Sequence, residues 1–276
     1  MTTTLRPTGP ERRAEDGARS RSYDICVNGR PVGGVRLATD GRFGPSAGRI
    51  EELAVHGPDR RRGRGTVAAL ASEEVLRGWG CRRVEASVPA DAVPALRLAA
   101  ALGYTERNRN MAKELSELPA LPAGSELRPL GAAEYPQWLE SRRAGYARAW
   151  EEQGVPPGEA GRRSEADHAE LLPDGPGTAG TALRVLVHDG VDVGTLWVAH
   201  TGPRWEGGWV LDVEVAPEHR GRGHGRTLML AAERECLAAG VRTLGLNVFT
   251  ANTPALRLYE SLGYRPTVHH LYKPLL

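Results

Sequence analysis

The feature that most limits what this chain can fold into is that it repeats itself. Residues 53–105 lie over residues 213–265 at a constant offset of 160, with no gap. Val55 falls on Val215, Arg60 on Arg220, Gly63 on Gly223 and Gly65 on Gly225. Leu70, Ala71 and Glu73 fall on Leu230, Ala231 and Glu233, then Gly80 on Gly240, Arg82 on Arg242 and Val88 on Val248. The run Pro94–Leu98 repeats as Pro254–Leu258, and Leu102-Gly103-Tyr104 repeats as Leu262-Gly263-Tyr264. Glycines and prolines recur at turn positions, where backbone geometry rather than composition selects them. Two copies of one α/β domain follow.

The 276 residues suit two domains of ordinary size. A boundary is expected at residues 117–125, punctuated by Pro119, Pro122 and Gly124 and crossed by no periodic pattern. This divides the chain into residues 1–20, polar and expected to be disordered, a shorter first domain at 21–116, and a second at 126–276. The first lacks room for the helical portion that residues 131–172 supply in the second. Thirty-six basic against 34 acidic residues leave a net charge of +2, too balanced for a nucleic-acid or membrane-surface protein. No apolar stretch is long enough for a membrane span, and the N-terminal segment has no apolar core for a signal peptide, so a cytoplasmic location is expected. Cys26, Cys81 and Cys236 are odd in number and far apart, against a disulfide framework or a metal site. The basic residues are arginine except Lys113 and Lys273, a skew ascribed to coding bias.

In the second copy, residues 127–130 read as a short strand. Residues 132–153 read as a helix with Tyr135, Trp138, Leu139, Tyr146 and Trp150 on its apolar stripe. Pro156-Pro157-Gly158 breaks it, before a second helix at 164–172. Residues 181–188 and 193–200 form a hairpin about Asp189-Gly190. Residues 209–216 make a strand with Val213 and Val215 on one face, Asp212 and Glu214 on the other. A helix runs from His224 to Ala239, with Leu228, Ala232 and Cys236 on its core side and Gly240 ending it. A strand at 243–249, a short helix opened by Thr253 as N-cap and Pro254, and a strand at 267–272 complete the copy. The expected class is α/β, or α+β by its mixed, mostly antiparallel sheet flanked by helices.

The segment that carries chemistry is Arg220-Gly221-Arg222-Gly223-His224-Gly225, between a strand and a helix. Glycines let main-chain N–H groups approach an anion, the helix start adds its dipole, and Arg220 and Arg222 add charge. A phosphate or diphosphate is the expected ligand. The spacing is wrong for a dinucleotide fingerprint, and a Walker A loop needs a Gly-Lys-Ser/Thr that is absent. A disordered Arg-Gly tail does not fit a place between strand and helix, and a tight turn that binds nothing is the plain alternative.

Arg-x-x-Gly-x-Gly after a strand, with Asn252-Thr253-Pro254-Ala255-Leu256-Arg257-Leu258-Tyr259-Glu260-Ser261-Leu262-Gly263-Tyr264 downstream, resembles the acetyl-CoA signature and second motif of the GNAT-family N-acetyltransferases. Residues 50–105 match more weakly, so the whole chain resembles a tandem GNAT protein. The resemblance implies acetyl-CoA as co-substrate and no metal. It implies that the amides of Arg220, Gly221, Arg222, Gly223, His224 and Gly225 hold the diphosphate, and that the pantetheine arm pairs with the strand at Val213 and Val215. Asn252 helps hold the cofactor, and the Tyr259 hydroxyl faces the sulfur. An amine attacks the thioester, an oxyanion forms and a thiolate leaves; a tyrosine suits as the acid for that thiolate. The base is open among Asp212, Glu214 and His200, with Glu214 ranked slightly first.

At the 160-residue offset, Tyr259 corresponds to Ala99 and Asn252 to Ala92, while the loop persists as Arg60-Arg61-Arg62-Gly63-Arg64-Gly65. The first copy keeps the anion cradle, loses the acid, and is expected to be catalytically silent. The expected acceptor is a small-molecule or peptide amine, its cleft shaped by residues 131–208, where Trp197, Trp205 and Trp209 are candidates. Neither nucleic acid nor membrane is an expected partner, and the chain is read as a monomer or homodimer. The rival is a non-catalytic acyl-CoA sensor or partner-binding protein, which the intact Asn252 and Tyr259 argue against. Nucleic-acid binding through Arg60–Arg64 is weaker still, since no aromatic residues interleave the arginines.

Overall fold

The computed structural model describes residues 2–15, 17–39, 46–152, 154–202 and 204–275. Met1, Asp16 and Gln153, which fall within the expectations above, lie outside them. The elements in order are β1 (Thr3–Pro7), β2 (Arg12–Arg13), β3 (Arg19–Val27), β4 (Arg30–Thr39), β5 (Ala47–Val55), α1 (Arg64–Gly78), β6 (Arg83–Pro89), α2 (Val93–Ala101) and β7 (Thr105–Glu114). Then come β8 (Ser125–Pro129), α3 (Tyr135–Glu151), α4 (Pro157–Leu171), β9 (Thr181–His188), β10 (Val191–Ala199), β11 (Gly208–Val215), α5 (His224–Ala238), β12 (Thr243–Phe249), α6 (Thr253–Ser261) and β13 (Arg265–Pro274). No described helix is long and apolar enough to cross a membrane.

The chain forms two compact units, but they do not part at the proline-rich linker. One is Met1–Asn108 with Val268–Leu276, the other Arg109–Thr267. In the first unit the strand order is β1-β3-β4-β5-β6-β13, with β2 beside β3. Strand β13 joins it antiparallel to β6, from Val268 opposite Pro89 to Pro274 opposite Arg83. In the second unit the order is β7-β12-β11-β10-β9-β8. Each unit is thus completed by a strand that the sequence places in the other half. The side chains follow: Leu275 and Leu271 lie in first-unit clusters with Val84 and Val88, while Met111 and Leu115 lie in the second-unit core.

The N-terminal segment expected to be disordered is partly ordered. Strand β1 pairs antiparallel with β3, Thr3 opposite Val27 through Pro7 opposite Tyr23, and Leu5 packs against the cluster that holds Val35, Leu37 and Leu76. The alternation Thr-Leu-Pro was too short to read as a strand without its partner.

Within the second unit, both sheets of side chains on β11 are spoken for. Val213 and Val215 pack on the core formed by Leu196, Leu228, Met229, Leu244 and Tyr264, while the opposite face turns to α3. Helix α5 sets Leu228, Ala232 and Cys236 on that core, all fully buried, the leucine alone worth about 1.5–3 kcal/mol. Its end is as read: Gly240 takes φ +78, which a side chain disfavours.

Local differences have local causes. Helix α3 starts at Tyr135, not 132, because Pro136 suits a first turn and Glu134 turns back to accept from the Gly131 N–H at 2.8 Å. Helix α4 starts at Pro157, so the Pro-Pro-Gly read as a breaker is also a helix start. The cap of α6 is Asn252 rather than Thr253, its Oδ1 accepting from the Ala255 N–H at 3.2 Å.

Candidate active site

The site is built where two parallel strands of the second unit part. Strands β11 and β12 pair only from Gly208–Val210 to Leu244–Leu246. Strand β11 runs on to Val215 while staying paired with β10 on its other edge. Leu211 is the extra residue of a bulge, since Trp197 stands opposite Asp212 and Val198 opposite Val210. A bulge bends and twists its strand and disturbs the ladder locally. The stretch 211–215 therefore presents an edge beside β12 that is free to pair with an extended ligand.

The chain then enters a short 3-10 turn at Pro217–His219 and the glycine loop. Gly221 has φ +77 and Gly223 φ +89, both left-handed, and Gly223 is the residue before the first turn of α5. No side chain caps that helix, in contrast to α6. The first amides of a helix have no intrahelical acceptor. The Arg226 and Thr227 N–H groups return to the Gly223 carbonyl at 2.9 and 3.2 Å, which leaves the amides before them for a ligand. Space around Gly221 and Gly223 is open to 4 Å, whereas a Cβ on Gly225 would meet Leu258 Cδ2 at 3.3 Å. Gly221 and Gly223 thus serve conformation, and Gly225 serves the contact of α5 with α6. Arg226 reinforces that contact by donating to Ser261 Oγ at 2.6 Å.

The two loop arginines part company. Arg220 folds back, its Nε donating to the Val215 carbonyl at 3.1 Å, so it braces the turn. Arg222 is exposed and keeps its charge at the loop. The His224 side chain turns away from the loop; its ring is buried, 4.9 Å from the His188 ring and 6.3 Å from the His219 ring. Burial and these neighbours lower its proton affinity, so it leaves the helix start without a charge of its own.

Tyr259 lies on α6, half-buried, its ring 6.1 Å from that of Tyr264. Burial, and then the charge of Asp212, push its pKa up to about 12. Asp212 and Glu214 both face Arg142 of α3: Arg142 Nη1 is 3.4 Å from Asp212 Oδ2, and Nη2 is in closer contact with Glu214 Oε2. Burial pushes the Asp212 pKa up to about 6, Arg142 opposing and Glu214 adding to the shift. The third base candidate, His200, is set apart, its proton affinity lowered by burial.

Of the tryptophans named as cleft candidates, Trp197 serves the interior, while Trp205 and Trp209 are half-buried. Trp197 is 3% exposed, edge-on to Trp138 at 5.8 Å. Trp205 and Trp209 stack on each other at 5.5 Å. The residue missed from the sequence is Arg142. It occupies the apolar-stripe position of α3 four residues from both Trp138 and Tyr146, where an arginine must have a buried partner, and that was the available signal.

The first unit shows the same loop with its chemistry altered. Arg60 Nε donates to the Val55 carbonyl at 2.7 Å, as Arg220 does to Val215. Gly63 is left-handed at φ +72, but Arg61 holds φ +57 where the second copy has glycine. The positions of His219 and His224 carry a buried ion pair, Asp59 with Arg64, which Arg30 joins at 2.8 Å. Ala92 gives α2 no side-chain cap, and Ala99 is buried with Val88 and Leu271. His269 and His270 are engaged with Glu106 and Ser87, at 2.7 and 2.9 Å. Among the described residues no cluster suits a metal ion.

Comparison with known proteins gives a consistent result. The profile of the acetyltransferase (GNAT) family matches residues 3–104 and 136–264. A mycothiol acetyltransferase of Thermomonospora curvata is 32% identical over 256 residues, covering 89% of this chain and 79% of that protein. One of Kytococcus sedentarius is 30% identical over 254 residues, 82% of each chain. In fold, the chain resembles a GCN5-related N-acetyltransferase from Sphaerobacter thermophilus, with TM-score 0.60 at 22% identity over 92% of this chain and 80% of that one. It also resembles a tandem GNAT protein from the clavulanic acid biosynthesis pathway, with TM-score 0.52 at 22% identity over 96% and 85% of the two chains.

Proposed function

This chain belongs to the GNAT family of acetyltransferases, and from that premise we propose that it moves an acetyl group from acetyl-CoA to a primary amine by direct attack, with the second unit as its catalytic half. The observation that carries the reading is the uncapped start of α5 behind left-handed Gly223. Main-chain donors there, with the helix dipole, form a cradle for a diphosphate. The exposed edge of β11 beyond Val210 gives the pantetheine arm a strand to pair with. That path ends near Tyr259 and Asp212.

The neutral amine attacks the thioester carbon, an N–C bond forms, the oxygen gains charge, and the C–S bond breaks. Tyr259 stays protonated at working pH, so its hydroxyl can donate to the departing sulfur. At about 12 it is a weaker acid than a thiol near about 8.5, a gap of about 5 kcal/mol. Its part is therefore to hydrogen-bond the thiolate as charge builds. Ala99 in the first unit offers no hydroxyl, which supports the silence of that copy.

The acceptor is proposed to be a small amine, and the names of the relatives make a mycothiol-related amine the first to try. The full chain is incubated with acetyl-CoA and a panel holding that amine, aminoglycosides, polyamines, amino acids and N-terminal peptides, and released coenzyme A is measured. Turnover with one class supports the reading. Tight acetyl-CoA binding without transfer to any of them favours a sensor.

A further inference from the structure

Two carboxylates on one strand face share one cation here. Asp212 and Glu214 alternate with the core valines on β11, so both point to α3, roughly 6–7 Å apart along the strand. Arg142 reaches both from α3, its side chain 13% exposed, and its Nη2 also donates to Ser141 Oγ at 3.0 Å. The contact is uneven. Glu214, the more exposed at 37%, has the closer one, while Asp212, at 28%, has the longer contact of 3.4 Å.

We propose that Arg142 is a positioning residue that divides the two carboxylates between two tasks: it holds Glu214 as a fixed anion and leaves Asp212 to take the proton from the attacking amine. This rests on the acetyl-transfer reading of the second unit. One guanidinium cannot neutralise two carboxylates, so the trio keeps one negative charge, and that charge suits an acceptor that arrives as an ammonium ion. The titratable groups facing Asp212 are Arg142 from α3, Glu214 from its own strand and the neutral Tyr259 from α6. His168 of α4 lies near enough to Arg142 to feel its charge. The residues opposite on β10, Trp197 and Thr195, do not titrate.

The acceptor ammonium first gives one proton to water, and from the neutral amine onward the proton balance closes within these groups. As the N–C bond forms, the nitrogen proton becomes acidic and passes to the Asp212 carboxylate. The sulfur leaves with the electrons of the C–S bond, its charge held by a hydrogen bond from the Tyr259 hydroxyl, and then takes the proton that Asp212 accepted. Asp212 stands near enough to Tyr259 to raise its pKa. With Asp212 at about 6, the overall movement of its proton to a thiolate of about 8.5 is downhill. The products are the amide and coenzyme A, with no other reactant.

The test uses the full chain with Asp212→Asn, Glu214→Gln, Arg142→Gln and Arg142→Lys. Two readouts are taken: kcat/KM against pH with the best amine, and carbon-13 titration of the Asp212 side chain. Asp212→Asn is expected to cut kcat about a hundredfold or more and erase the acid limb. Glu214→Gln is expected to keep the limb and lose less than about tenfold. Arg142→Gln is expected to move the Asp212 midpoint and the limb upward together by about one unit, with Arg142→Lys moving them back. A limb erased by Glu214→Gln and kept by Asp212→Asn overturns the assignment. So does an Arg142→Gln protein that loses stability while both midpoints stay in place. The carbon-13 titration needs no turnover, so if no amine is acetylated it still decides the division of the carboxylates, while the acetyl-transfer reading falls separately.

Discussion

Lys113 Nζ lies 2.7 Å from Glu233 Oε1, a link between the strand β7 and the helix that begins at the glycine loop. The same link recurs in the first unit, where Lys273 Nζ lies 2.7 Å from Glu73 Oε2. These are the only two lysines in the chain. Each stands on the strand that comes to its unit from the other half of the sequence, and each ammonium lies 5.7–5.8 Å from a tyrosine ring, Tyr264 or Tyr104. Among so many arginines, these two lysines stand at matching places. A compact ammonium on a flexible stem fits between a buried carboxylate and a ring where a planar guanidinium demands more room.

Replacing Lys113 by methionine should therefore destabilise the protein by about 2–4 kcal/mol, because Glu233, 3% exposed, loses its counter-charge. The double change Lys113→Met with Glu233→Leu should recover most of that loss. Denaturant unfolding of the three proteins measures it. Equal stability of wild type and Lys113→Met would mean the pair does not hold β7 in place.

A fragment of residues 120–276 should fold poorly. It lacks Met111 and Leu115, 0% and 5% exposed in the second-unit core, and it carries Leu271 and Leu275 of the first-unit clusters without their partners. A fragment of residues 109–267 should be the more protected of the two in hydrogen exchange. The opposite order would favour a division at the linker.

Much of this was legible in the sequence, and the exceptions have a common cause. The offset of 160 exposed the two copies because matched glycines and prolines mark backbone geometry, and the ends of β9 and β12 were read to the residue for the same local reasons. The exchange of β7 and β13 was hidden, since a strand reads the same whichever sheet it joins. The site divides likewise. The loop and Tyr259 are local patterns, but Arg142 was invisible as a partner of Asp212 and Glu214, because 70 residues separate it from Asp212. Nor does the sequence show which of Asp212 and Glu214 the arginine holds closer, so it gives no ground to rank one above the other.

Tyr259→Phe should lower kcat by about a hundredfold and leave acetyl-CoA affinity nearly unchanged, since the main-chain cradle is intact. With Tyr259 at about 12, no basic limb from this residue should appear below about pH 11. Steady-state rates across pH check both points, and an unchanged kcat would remove Tyr259 from the reaction.

Asp212→Asn should stabilise the protein at neutral pH while slowing it. The carboxyl titrates at about 6 when folded against 3.8 as its ordinary value, so the folded state binds the proton more tightly than the unfolded chain. Its contribution is fully present below the unfolded value and is lost as pH rises through about 6. The variant should thus gain about 1–3 kcal/mol over wild type at pH 7–8 and little at pH 4. Thermal unfolding at those two pH values reads the difference, and an equal gain at both would point to packing rather than charge.

The most direct measurement of the central claim is calorimetric titration of the full chain with coenzyme A, set beside turnover, for Gly223→Val and Gly63→Val. Both glycines are left-handed, at φ +89 and +72, so each valine strains its loop by about 1–3 kcal/mol. The account predicts that Gly223→Val loses tenfold or more in productive coenzyme A affinity and most of its turnover, while Gly63→Val retains turnover. A Gly223→Val protein that binds and turns over as wild type does, or a Gly63→Val protein that alone is inactive, would contradict it.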